Sequence, residues 1–211
     1  MRQKVAILLA DINNVSGVSN YLRAARDCKH ILPLVGCDIR NGDRHLYLLL
    51  CESQSGFARM NAFLSEHLMG GRAFPEVAPE MLGVKVIYPL SRWRGWRSGH
   101  KETSRGYGDD VNETCLSGDT WGIGIPWVHL DRLRLWKKPL PTGRLLAIQT
   151  VTVRDEIDFE THRLLRCIDH NCLLSKLPEG ATAVACVRPQ AVRLRGAGFC
   201  LPGRVLSRRF L

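Results

Sequence analysis

"VAILLADINNVSGVSNYLRAAR", Val5 to Arg26, is the stretch on which the fold turns. Val5–Ala10 is an unbroken apolar run that stops at Asp11, the pattern of a buried strand closed by a polar turn. Asn13 or Asn14 is placed to cap the next helix, where Val15, Val18, Leu22 and Ala25 fall on one face at helical spacing. The strand therefore ends on one side chain with lone pairs, Asp11, followed by one without, Ile12.

Working outward, "ILPLVGCDI" (31–39) reads as a second strand and "HLYLLLC" (45–51) as a third after an "NGD" turn. A helix comes next, with Phe57, Met60, Leu64 and Leu68 on one stripe. "VKVIYPL" (84–90), "WGIGI" (121–125) and "LLAIQTVTV" (145–153) are further strands, and a helix from about Asp158 is expected to carry Leu164, Leu165 and Ile168 inward. Alternating strands and helices predict an α/β fold with mainly parallel strands, as a distorted barrel or a doubly wound sheet. Residues 91–114 have no apolar period and read as a loop. The stretch from Gly180 has neither acids nor lysines and reads as a disordered tail. No repeat is present.

A chain of 211 residues suffices for one sizeable domain. Its 45% hydrophobic and 24% charged content is that of a soluble globular protein. No apolar run approaches the ~20 residues of a membrane span, and Val5–Ala10 is too short for a signal core. A cytoplasmic protein with no membrane partner is expected. The eight cysteines include no C-x-x-C pair and sit mostly in apolar runs, which suits reduced core thiols better than zinc or disulfides.

The net charge of +10 is concentrated in two places. Residues 92–105 carry +4 and residues 180–211 carry +6, so the remainder is neutral. Trp93 and Trp96 lie between arginines, where they could stack on bases. Arg92, Arg94, Arg97, Arg193 and Arg195 are the candidate nucleic-acid contacts. No phosphate-binding G-x-x-x-x-G-K-[ST] loop and no G-x-S-x-G elbow occurs. His30, His45, His67, His100 and His129 form no i,i+4 pair.

"ADINNVSG" after the first strand, "LPLVGCDIR" in the second and "HRLLRCIDHNCLLSKLP" (162–178) form a specific combination, with "GFARMNAFLSEH" and "FPEVAP" between them. Over residues 4–90 and 119–178 it resembles the polymerase-and-histidinol-phosphatase (PHP) domain that opens the bacterial DNA polymerase III alpha subunit. The branch it is most similar to reads T-D-I-N-N and H-R-L-L-R-x-I-D-x-N. The resemblance implies a PHP-type domain over 1–178, an incomplete distorted (β/α) barrel lacking its first strand. A loop insertion at about 91–118 interrupts it, and a basic tail occupies 179–211. It further implies a fragment of a DNA-directed DNA polymerase, with the rest of the alpha subunit and the replication holoenzyme as partners and DNA met through the parent protein.

Metal-dependent PHP domains hold up to three ions at the strand C-termini, using a first-strand H-x-H, a D-H, a glutamate and a later D-x-H. Here only three residues precede Lys4, so no H-x-H strand lies upstream in this chain, and an internal start in a fragmentary reading frame is expected. Asp11 stands at the D-H acid with Ile12 for the histidine, and Asp38 stands at the glutamate position. The D-x-H falls on Thr150 and Thr152, poor ligands beside imidazole. Asp11, Asp38 and His162 are thus remnants of a ligand site, and no catalytic residue, metal or other cofactor is expected in this chain. Magnesium belongs to the parent's palm domain.

Taken without the family, Asp11 is a strand-end acid receiving backbone N–H bonds. His162 is then a partly packed histidine near a helix start, and Asn171 a helix cap. Two other functions are open. One is a free-standing PHP phosphoesterase. The other is a basic nucleic-acid-binding protein working through 92–105 and the tail.

Overall fold

The computed structural model describes residues 5–42, 44–93, 111, 116, 120–126, 129, 133, 135, 136, 140–148, 153, 155–178, 181 and 182, without the side chains of Val5 and Thr142. Its strands are β1 (Val5–Ile12), β2 (Ile31–Asn41), β3 (Arg44–Cys51), β4 (Val84–Pro89), β5 (Trp121–Pro126) and β6 (Leu145–Ile148). They lie in chain order in one curled, half-barrel sheet. Among the described residues three helices, α1 (Val18–Arg26), α2 (Gln54–Met69) and α3 (Glu156–Asp169), accompany the sheet in a mixed α/β architecture. The described residues divide into two compact units, one reaching to Ala147 and the other beginning at Ile148.

The sheet is mixed, which corrects the expectation of mainly parallel strands. β1 runs parallel to β2 and β4 to β5, but β2–β3 and β3–β4 are antiparallel. The reason lies at the "NGD" turn: β2 ends at Asn41 and β3 starts at Arg44. So short a connection can only reverse the chain, because a parallel crossover needs a dozen residues or more.

Register separates the two faces of the sheet. Cys37, Ile39, Tyr47, Leu49, Cys51, Val84 and Val86 form one buried cluster with Met60, Phe63 and Leu64 of α2. Burying side chains of this size contributes about 1.5–3 kcal/mol each. Ser53 starts α2 by accepting the Gly56 N–H at 3.0 Å. Leu68, the last member of the predicted stripe, lies in solvent. The segment after α2 is tied back by Asn41, whose Nδ2 donates to Phe74 O and whose Oδ1 accepts from Phe74 N, both at 2.9 Å.

Trp93 is buried rather than loose. With Leu90, Ile123 and Ile125 it forms a second cluster, and its ring stacks on Trp121 at 6.2 Å. Trp93 also bridges Val111, so both ends of the predicted loop insertion belong to the fold. Trp96 and most of 94–118 lie outside the described residues, as does 183–211 of the tail.

Two helices depart from expectation. α1 begins at Val18 with Gly17 before it and no side-chain cap, not at the asparagines. α3 begins at Glu156, with Asp155 accepting the Asp158 N–H at 2.9 Å. It turns Leu164, Leu165 and Ile168 outward and buries Cys167 instead. Among the described residues no helix is long and apolar enough to cross a membrane.

Candidate functional site at the ends of the first two strands

β1 and β2 end side by side, and Asn13 locks them there. It adopts a left-handed φ of 50°, a conformation Asn tolerates better than most residues. Its N–H donates to Asp38 O, its Nδ2 donates to Arg40 O and its Oδ1 accepts from Arg40 N, each at 2.9 Å. The side-chain amide acts as a surrogate peptide and extends the ladder past its last backbone pair, Ile12 with Asp38. Asn14 Oδ1 then accepts the Ser16 N–H at 2.8 Å, an Asx turn leading toward α1.

The same register places the two candidate carboxylates. Asp11 is paired with Cys37 and Ile12 with Asp38, and successive strand residues point to opposite faces. Asp11 and Asp38 are therefore on opposite sides of the sheet and do not converge. The Asp11 carboxylate lies over Gly17, where an added Cβ would come within 2.7 Å of Oδ2. A side chain at position 17 would require the carboxylate to move aside. The backbone N–H bonds expected at Asp11 are not found among the described residues. The N–H groups of the turn go instead to Asp38 O, Asn14 Oδ1 and Val15 O.

Asp38 is held by a guanidinium. Arg40 Nε donates to Oδ1 at 3.1 Å and Nη2 to Oδ2 at 2.7 Å, the two-pronged geometry that makes arginine–carboxylate pairs strong. His45 Nε2 lies 3.3 Å from Oδ1, buried but not aligned for a hydrogen bond. Burial lowers the His45 pKa below its usual 6.5, and Arg40 and Arg92 push the same way against Asp38. The imidazole is accordingly neutral at pH 7. Between the acids, the Cys37 thiol contacts Asp11 O at 3.4 Å, and burial pushes its pKa up to about 12, with Asp38 and Asp11 adding to the effect. So high a pKa leaves almost no thiolate at neutral pH, so Cys37 is no nucleophile.

A metal cluster needs several anionic or imidazole donors aimed at one point. The residues present do not fit that requirement. Asp38 is neutralised by Arg40, Asp11 faces away, and Ile12 is an exposed hydrocarbon. Among the described residues no group of three or more His, Cys, Asp or Glu is placed to hold an ion. His162 sits half-buried well inside α3, not at its start, and in the other unit. Thr150 and Thr152 lie outside the described residues.

Arg92, expected as a nucleic-acid contact, is a core cation only 6% exposed. It donates to Leu46 O at 3.1 Å and Glu76 O at 2.7 Å, and pairs with Glu76 Oε2 at 2.9 Å. Glu76 also binds Arg44 at 2.8 Å. Arg94, Arg97, Arg193 and Arg195 lie outside the described residues.

The sequence reading missed Asn13 as a clamp and Arg40 and His45 as partners of Asp38. Arg40 had a signal: D-x-R within one strand puts both side chains on one face. His45 becomes a neighbour of Asp38 once "NGD" is taken as a hairpin turn. Comparison with known proteins adds no relative, since no protein-family model, curated protein or solved structure matches this chain.

Proposed function

We propose that this chain is a PHP-type accessory domain of a DNA polymerase III alpha subunit whose metal site has been converted into a structural ion pair. The observation that carries this reading is Asp38. A carboxylate at a ligand position of the resemblance is occupied by the Arg40 fork instead of being left open to a cation. A guanidinium there supplies a fixed positive charge on the spot, so the strands need no ion to hold the acid in place.

The domain then serves by packing, and chemistry on DNA belongs to a magnesium-dependent palm elsewhere in the parent protein. The exposed stripe of Ile157, Leu164, Leu165 and Ile168 on α3 favours such a role, because contiguous apolar surface on a folded unit marks an association site. Its partner in this reading is the remainder of the alpha subunit.

The test is metal analysis and calorimetric titration of the purified chain with manganese and zinc, alongside turnover of a generic phosphate ester. No stoichiometric ion and no turnover are expected. Stoichiometric metal with hydrolysis abolished by Asp11→Asn would replace this reading with a free-standing phosphoesterase.

A further inference from the structure

The C-terminal end of α3 brings two thiols together. After the cap residue His170, Asn171 turns into the left-handed region at φ 47°. The Asn171 N–H then bonds Ile168 O at 3.1 Å and the Cys172 N–H bonds Cys167 O at 3.0 Å. This reciprocal pair of bonds is the Schellman motif, in which the residue after the left-handed turn folds back onto the third residue from the helix end. That contact is usually hydrophobic. Here it joins Cys167 to Cys172, the two residues that the Cys172 N–H to Cys167 O bond ties together.

We infer that Cys167 and Cys172 form a reversible dithiol–disulfide site, closed by exchange with a small-molecule disulfide. Both thiols are free. Cys172 is half-buried and Cys167 buried, so access orders the steps. The Cys172 thiolate attacks one sulfur of the small disulfide, forms a mixed disulfide and expels one small thiolate. The Cys167 thiolate then attacks the Cys172 sulfur, forming the internal S–S bond and expelling the second small thiolate. Two protons leave the protein, the two cysteines are oxidised by two electrons, and the small disulfide is reduced to two thiols.

The arrangement favours the second step over escape of the mixed disulfide. The cap holds residue 172 against residue 167 before the reaction starts, which gives the second thiol a high effective concentration. Burial raises the Cys167 thiol pKa, the neighbouring Cys172 thiol adds to the rise, and Arg163, one turn earlier on α3, offsets part of it. His170 is not a third ligand turning the pair into a metal site. Its Nε2 lies 3.0 Å from Arg166 Nη2, and no three-donor group exists there among the described residues. Cys37 and Cys51 are both buried, with no half-buried thiol for a small disulfide to reach first, and Cys51 packs on the Met60 sulfur at 3.6 Å.

Trypsin cuts after Arg166 and Lys176, so both cysteines fall in one peptide, 167–176. The full chain is equilibrated in graded mixtures of reduced and oxidised glutathione, alkylated and digested, once folded and once in guanidinium. The expected product is peptide 167–176 lighter by two hydrogens and unalkylated, half-formed in the folded chain at a redox ratio at least about tenfold more reducing than in guanidinium. Cys167→Ser should trap glutathione on Cys172, and Cys172→Ser should leave Cys167 alkylated but free of glutathione. Two alkyl groups on the peptide in oxidising buffer would overturn the inference. So would a persistent glutathione adduct on the unmutated chain, or equal midpoints with and without guanidinium.

Discussion

Helices α2 and α3 are both written with apolar residues three or four positions apart, yet α2 buries Met60, Phe63 and Leu64 while α3 leaves Leu164, Leu165 and Ile168 in solvent. α2 sits on a sheet face prepared for it by alternating apolar residues of β2, β3 and β4. α3 turns only Cys167 fully inward, together with parts of Asp158, Phe159, His162, Arg163 and Arg166. A helical period determines which residues share a stripe. It does not determine what the stripe touches, and that second fact depends on surfaces contributed from far along the chain or from another molecule.

The largest expected effect tests how tightly α2 is held. Gly56 in its first turn is pressed on the Gly83 carbonyl, where an added Cβ would come within 2.0 Å. Glycine to alanine inside a helix ordinarily stabilises by about 0.5–1 kcal/mol. Gly56→Ala should instead destabilise by about 2–3 kcal/mol through overpacking against backbone, read as a shifted urea midpoint. A neutral or stabilised variant would mean that α2 is not seated as described.

An intermediate effect concerns His45 in the sheet. Its folded pKa is depressed, chiefly by burial, below the unfolded value near 6.5. The stability it contributes is therefore complete above that value and is lost as pH falls through the lower folded pKa. Urea midpoints of the wild-type chain should decline from about pH 6.5 downward, and His45→Asn should flatten the decline. An unchanged slope would show that the imidazole is solvated.

The smallest effect belongs to α3. Leu165, 59% exposed, should cost no more than about 0.5 kcal/mol on replacement by alanine. A loss of 2 kcal/mol or more, on the order seen for buried leucines, would erase the contrast between the two helices.

Much of the sheet was legible from short apolar runs between turn residues, and β1, β2, β3, β4 and β5 fall within a residue or two of where the pattern puts them. Strand direction was legible only at "NGD", where loop length dictates a reversal. The start of α1 was not legible, because Asn13 spends its amide on Arg40 instead of capping the helix. At the candidate site the residue types were visible, but whether Asp11 and Asp38 converge depends on a one-residue offset in the β1–β2 pairing. Nothing local in either strand encodes that offset. The burial of Arg92 was hidden for a similar reason: its neutralising partner, Glu76, lies on another segment.

Asn41 is followed by Gly42, the neighbour that most readily lets a backbone nitrogen attack the side-chain amide and release ammonia. While its Nδ2 and Oδ1 are both engaged by Phe74, that amide is kept from rotating toward the attacking nitrogen. Once the hydrolysed product forms, a carboxylate oxygen confronts the Phe74 carbonyl where a donor used to be. Keeping the first hairpin closed therefore also shields this amide, and only its opening would leave Asn41 free to react.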